Sequence, residues 1–389
     1  MISISDANEF FILCDIMWDI ILLIAGAVLG VIAMKIDDFI KRRGVLKRNK
    51  ESLSKIPKYN PLKDNIIVLR QWNSHDTLEE SNTIISYNEK RVYNLIYPSI
   101  SCRFISNPSE WEELYSKELI KEGKRTGKIS YITALSLDHK DTKKGNKLEI
   151  EVSTCDYIAH NVNSKYLSKY PNDWERIKQV LVQGDLNDYF DCSMPGNVFV
   201  NFIIINGQTN NVLAIKRSRQ ELNARNVWGL SGFETMNDIS NAPAGSEELK
   251  LQGIVYRGLS EELAISREDV SKIAISSLSF VKHLGVMITA LVRLDLEGNN
   301  ESNDTLKTMT EGTFIQRVLS KSESRYEHED LRWMPIDLKE MKRYIDNETG
   351  FYKEIIQAYD NDGAKWINYA KMQMYQIWYN HDSIDLDLK

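Results

Sequence analysis

Arg257, Glu261 and Glu262 sit close together in the run RGLSEELAI, Arg257 to Ile265. Leu249, Gly253, Tyr256, Leu259 and Leu263 recur around them at three- and four-residue spacing, the period of a helix with one apolar or small face. Positions 258, 261 and 262 then lie together on another face, because residues three and four apart are neighbours on a helix. Two adjacent carboxylates repel unless a cation offsets them, and a hard divalent ion such as Mg2+ takes oxygen ligands of this kind. Ser246 with Glu247 and Glu248 reads as the helix start, a hydroxyl cap followed by acids near the positive end. Metal-assisted phosphate chemistry is one reading of this helix; a solvated acidic face is the other.

The run resembles the second half of a Nudix box, R-E-U-x-E-E-x-G-U with U an aliphatic residue. Arg257, Leu259, Glu261, Glu262 and Ile265 match; Gly258 stands where the pattern has its first metal-binding Glu, and Ala264 where it has Gly. Upstream, WGLSGFE (Trp228 to Glu234) supplies the opening glycine as Gly232 only if Thr235 to Gly245 is an insertion. The flanks agree with the family's order. Val198–Asn206 and Val212–Ser218 read as strands before the box, Ile273–Val281 and Gly285–Leu296 as strands after it, and His328–Asp337 as the late strand with a Trp-x-Pro exit.

The resemblance implies an α+β chain with a Nudix-like α/β/α sandwich on a mixed sheet. It also implies hydrolysis of a nucleoside diphosphate linked to another group, with box carboxylates holding Mg2+ that helps orient an attacking water. Carried over residue by residue, Glu261 and Glu262 are metal ligands. Glu248 stands in for the carboxylate lost at 258, with Glu234 and Glu247 as alternatives. Arg257 holds the metal-binding carboxylates by charge-assisted hydrogen bonds. Glu327 and Glu329 are candidates for a base. Arg217, Arg219 and Arg225 suit bidentate phosphate contacts, and Trp228 suits stacking on a base. The ordinary readings of these four are solvated cations at a strand end and a core tryptophan.

The elements that carry this helix are preceded by a different kind of sequence. Ile20 to Met34 is apolar or glycine without a break, and extending back to Phe10 adds only Asp15 and Asp19 as charges. That suffices for a bilayer core, which takes about 20 residues. Residues 1–19 carry acids and no Lys or Arg, whereas Lys35, Lys41, Arg42, Arg43, Lys47 and Arg48 follow the span. The positive-inside rule then predicts a single pass through the inner (cell) membrane, with the N-terminus outside and everything after residue 34 cytoplasmic. Gly26 and Gly30 share a helix face and would let two such helices approach, which predicts a homo-oligomer in the lipid bilayer. Residues 35–64 read as a basic linker broken by Pro57 and Pro61.

Residues 65–195 read as an α+β accessory region. Its expected strands are Asn65–Leu69, Val92–Tyr97, Gly127–Leu137 and Asn146–Ser153, and its expected helices are Pro108–Glu122 and Asp173–Leu181. His139 and His160 stand alone there. Residues 196–345 form the Nudix-like domain and 346–389 C-terminal helices, where Trp366, Tyr369, Ala370, Met374 and Ile377 make a stripe that closes the core or meets another subunit. Four widely separated cysteines, none in a C-x-x-C pair, indicate neither a zinc site nor a disulfide framework, and a net charge of −6 argues against a DNA or RNA duplex as partner.

Two functions follow. A membrane span before a Nudix-like domain resembles the transmembrane-Nudix effectors of CBASS anti-phage systems, which implies a cyclic oligonucleotide signal and action at the membrane. The alternative is a Mg2+-dependent Nudix hydrolase tethered to the membrane. Gly258 favours the first, because a weakened metal site loses chemistry before it loses phosphate binding. The retained Glu261–Glu262 pair favours the second.

Overall fold

The computed structural model describes residues 66–72, 83–88, 105–122, 127–138, 147–183, 197–218, 226–243, 245–281, 285–296, 298, 306–320, 328–345, 365–366 and 370–386, all within one unit spanning 57–387. The expected membrane span with Ile20, Gly26, Gly30 and Met34, the linker 35–64 and the strand Val92–Tyr97 lie outside the described residues. Among the described residues, no helix is long and apolar enough to cross a membrane.

The chain order is β1 (Ile66–Gln71), β2 (Thr83–Tyr87), α1 (Pro108–Glu122), β3 (Lys128–Asp138), β4 (Lys147–Asp156), α2 (Tyr157–Lys169) and α3 (Pro171–Gln183). There follow β5 (Val198–Asn206), β6 (Asn211–Arg217), β7 (Val227–Leu230), β8 (Gly232–Thr235), α4 (Leu251–Leu263), β9 (Val270–Val281) and β10 (Gly285–Leu294). The last elements are α5 (Glu311–Ser320), β11 (His328–Pro335), α6 (Leu338–Ile345), β12 (Lys365–Trp366) and α7 (Ala370–Asn380). Helix α2 had no counterpart in the sequence reading. Asp156 caps it, its side chain accepting from Ile158 N at 2.9 Å, so a strand passes into a helix with no turn residue between.

The strands make a large mixed sheet and a small one. The large sheet runs β1-β9-β10-β5-β6-β7-β12, with β11 paired to β6 and β8 to β5. Pairs β10–β5 and β12–β7 are parallel and the rest antiparallel. Strand β1 comes from the stretch expected to be an accessory region, yet it forms the edge of the large sheet through Ile66↔Val281 to Gln71↔Ser277. The small sheet, β2-β4-β3, joins the large one through bridges Ile129↔Asn237 and Tyr131↔Asn197.

Strand registers show what each face of the large sheet carries. One row reads Leu278–Ile288–Val200–Glu234, and the next Phe280–Val286–Val198. Apart from Glu234, these side chains belong to a core shared with Ile254, Leu259 and Leu263 of α4, Phe314 of α5 and Trp174 of α3, whose ring stacks on Phe280 at 5.8 Å. Because successive residues of a strand alternate faces, Gln71–Ser277–Thr289–Asn201–Phe233 lies on the other side. Helix α7 covers that side, packing on α6, β7, β9 and β10. Of the expected C-terminal stripe, Ala370, Met374 and Ile377 are buried on this helix and close the core within one chain, while Tyr369 lies outside the described residues. Trp366 is not on that helix; it pairs with Trp228 in the short strand β12.

The helix that carries RGLSEELAI starts later than the sequence reading placed it. Glu247–Leu249 is a separate 3-10 turn, Lys250 is extended (φ −120°, ψ 137°), and the α-helix begins at Leu251. Ser246 makes no side-chain cap bond. The buried face is accordingly Leu251, Ile254, Val255, Gly258, Leu259 and Leu263, while Tyr256 and Gly253 are only partly covered. Gly253 permits the break, because a Cβ there would overlap the Glu247 carbonyl.

Candidate functional site

The residues singled out in WGLSGFE and RGLSEELAI meet where α4 crosses β8. Strand β7 pairs with β6 as far as Leu230, and β8 then pairs with β5 from Gly232 onward. The chain changes partners at Ser231, which adopts a left-handed conformation (φ 60°). Its N–H and hydroxyl both donate to Leu213 O, at 3.0 and 3.1 Å, and the hydroxyl oxygen accepts from Ile204 N at 2.7 Å. The kink brings Gly232 and Glu234 beneath α4.

Gly258, in place of the expected glutamate, is explained by this approach. A Cβ at 258 would stand 2.7 Å from Glu234 Cβ and 2.7 Å from Phe202 Cε1. The space a helix side chain would need is filled by the Glu234 side chain arriving from the strand. Glu234 therefore supplies the carboxylate beside this position, a choice sequence spacing left open. Its Oε1 accepts from Arg257 Nη2 at 2.7 Å and Nε at 3.2 Å, and Nη2 also donates to Thr235 O at 2.7 Å. Arg257 thus ties α4 to β8 rather than holding Glu261 and Glu262, which corrects the role the resemblance implied.

Glu262 points toward the same strand. A Cβ on Gly232 would collide with Glu262 Oε2 and stand 2.7 Å from Phe202 Cζ, so the missing side chain makes room for the carboxylate. His328 Nε2, from β11, lies 4.0 Å from Glu262 Oε2, with only 6% and 15% of the two side chains exposed. The sequence reading passed over His328 and named its neighbours Glu327 and Glu329. The visible signal was a histidine opening an alternating strand, one residue before Glu329. Glu329 faces Lys216 (3.7 Å), and Glu327 lies outside the described residues. Glu261 is exposed.

Arg217 reaches the same end of the sheet. Its Cα is the register partner of His328, and its guanidinium lies 4.9 Å from the Phe233 ring centroid. Arg219, Arg225 and the Glu248 side chain lie outside the described residues. Trp228 is 2% exposed, so burial leaves its ring no face for a base, and the ordinary reading of a core tryptophan replaces the stacking role. Glu247 belongs to the surface: Lys250 and Arg267 pair with it, and the Lys250 hydrogen bond and charge hold its carboxyl below the usual range.

Several of the described candidate donors are not available to a resident Mg2+. Glu234 is committed to Arg257, Glu247 to its two cations, and position 258 has no side chain. Among the described residues, no three His, Cys, Asp or Glu side chains come together as a metal-holding group. The site offers a half-buried carboxylate beside a buried histidine, a clamped Glu–Arg pair, and a guanidinium at the rim.

No protein-family model matches this chain, and no curated protein matches it. Solved structures with partial similarity include DR0079 from Deinococcus radiodurans, at 14% identity over 42% of this chain and 83% of that one, TM-score 0.25. NrtR from Shewanella oneidensis aligns at 12% identity over 46% of this chain and 61% of that one, TM-score 0.23. A bifunctional NMN adenylyltransferase/ADP ribose pyrophosphatase from Francisella tularensis aligns at 13% identity over 48% and 51%, TM-score 0.22. At TM-scores of this size none of the three places the chain in a family or assigns it an activity.

Proposed function

We propose that this chain is a membrane-anchored receptor. Its cytoplasmic Nudix-like domain binds a nucleotide, in the fullest reading a cyclic oligonucleotide, and does not hydrolyse it. The observation that carries this reading is the exchange at Gly258: the carboxylate has moved to Glu234 on the neighbouring strand, where Arg257 neutralises it. A site rearranged in this way keeps the Nudix-type strand–helix junction while losing a ligand for the metal. Arg217 at the rim supports an anionic ligand, since guanidinium forks match phosphate oxygens. The apolar run Ile20–Met34 with Gly26 and Gly30 supplies the output: ligand-driven self-association in the inner membrane, as in the anti-phage effectors the layout resembles.

The second reading is a tethered Mg2+-dependent hydrolase of a nucleoside diphosphate derivative. The retained Glu261 and Glu262 favour it, because Mg2+ can be held by one or two carboxylates when the substrate's phosphates complete its shell. The full-length chain in detergent separates the two. It would be mixed with Mg2+, linear nucleoside diphosphate derivatives, and cyclic di- and trinucleotides, then analysed by chromatography with mass detection. Retention of one intact cyclic nucleotide with a change in oligomer size is the expected result. Cleavage of a linear pyrophosphate, lost in Glu261→Gln, overturns it in favour of the hydrolase.

A further inference from the structure

Gly232 and Glu234 are held in place from the far side of the sheet. Strand β12 pairs with β7 only at Val227 and Trp228, so it ends before Leu230. There the side chain of Gln373, on α7, takes the place of a strand. Its Oε1 accepts from Leu230 N at 2.9 Å and its Nε2 donates to Leu230 O at 2.8 Å. The same Nε2 donates to Asn201 Oδ1 at 3.2 Å, and Asn201 Nδ2 donates to Gly232 O at 3.0 Å. Two buried side-chain amides therefore satisfy backbone groups on both sides of Ser231, the residue forced into the left-handed region. Gln373 is 1% exposed and Asn201 0%.

We infer that Gln373 is a positioning residue for the site, acting through Leu230, Asn201 and Gly232. The kink at Ser231 decides where Gly232 lies, and Gly232 leaves the room in which the Glu262 carboxylate sits near His328. The seating of the C-terminal helix is thereby coupled to the geometry on the opposite face. A strand pair could hold Leu230 equally well, but only a side chain on a separate helix lets that helix's position alter the kink. The inference concerns how the site is built, and it stands whether or not the ligand is a nucleotide.

Gln376 supplies the control. It is equally buried, one turn along the same helix, but its hydrogen bonds stay within α7, to Met372 Sδ at 3.5 Å and from Asn380 Nδ2 at 2.8 Å. The test compares full-length wild type with Gln373→Met, Gln376→Met and Asn201→Asp. Amide exchange is read by mass spectrometry, and the His328 ring signals are recorded by NMR at one fixed pH, assigned with His328→Asn. Gln373→Met and Asn201→Asp are expected to speed exchange across 229–235 about tenfold or more and to displace the His328 ring signals, whereas Gln376→Met does neither. If Gln373→Met and Gln376→Met behave alike, or if exchange rises equally over α7 and the whole sheet, Gln373 is an ordinary packing residue and the inference falls. Should Gln373→Met fail to fold, Asn201→Asp carries the same comparison at the Gly232 end.

Discussion

The two faces of the large sheet are built on different terms. The face under α4 is aliphatic and aromatic, with Val198, Val200, Phe202, Ile288 and Leu278 fully covered. The face under α7 carries Ser277, Ser279, Thr289 and Asn201, all 0% exposed, opposite a helix with buried Gln373, Gln376 and Asn380. Apolar contacts are non-directional, so the first face stabilises any arrangement that excludes water. Buried amides bind only in one geometry and are costly when unmatched, so the second face selects a particular arrangement of strands. The side that carries the candidate site is thus the generic one, and the side behind it carries the positional information.

The largest expected effect breaks the first face. Phe202 is 0% exposed and its ring edge lies against both Gly232 and Gly258. Phe202→Ala is predicted to cost about 3–5 kcal/mol in equilibrium unfolding, the range for losing a buried phenyl ring. Gly258→Glu comes next. Placing a side chain there drives a Cβ into Glu234 and Phe202, an overpacking cost of about 1–3 kcal/mol. Adding Glu234→Ala should recover part of that loss; a double variant no more stable than Gly258→Glu alone would count against an exchange of carboxylates.

A pH effect tests the cover of the apolar face. Burial pushes the Asp173 carboxyl up, but hydrogen bonds from Ser106 N, Tyr166, Arg176 and the Ser106 hydroxyl outweigh it and hold the group below its ordinary value. A carboxyl depressed by folding adds stability above its unfolded pKa, about 3.9, and that stability is lost as pH falls through the lower folded value. Denaturant midpoints measured from pH 6 down to pH 3 should therefore fall more steeply in wild type than in Asp173→Asn. The smallest effect belongs to the polar face. Ser279 Oγ is buried with no hydrogen-bond partner, so Ser279→Ala should change stability by no more than about 0.5 kcal/mol, or raise it. A loss above 2 kcal/mol would show that this hydroxyl is bonded after all.

Much of the site was legible because it lies in short runs. WGLSGFE and RGLSEELAI are read from local spacing, and they do meet, through Arg257 and Glu234. The partner of Arg257 was not legible, because it depends on a kink at Ser231 that serine does not announce. The helix start was misread because Ser-Glu-Glu marks the beginning of both an α-helix and a 3-10 turn, and only the extended Lys250 separates them. His328 and Gln373 were missed for a different reason. Each lies far along the chain from the box, and pattern within a window says nothing about register between distant strands. Trp228 shows the converse: its place in a motif invited a functional role, and its depth in the core gives it a packing one.

Strand β1 bears on how the chain acquires this structure. Its partner β9 is roughly 200 residues further along, with the small sheet, α4 and the large-sheet strands β5 to β8 encoded between them. Closing so long a loop is entropically costly and slow, so this pairing is expected to complete the sheet late. Until it does, the outer edge of β9, with Ser277, Leu278 and Phe280, is an open template for a strand from another molecule. Expression of a fragment starting near residue 196 would make that transient state permanent, and such a fragment should aggregate where the longer chain does not.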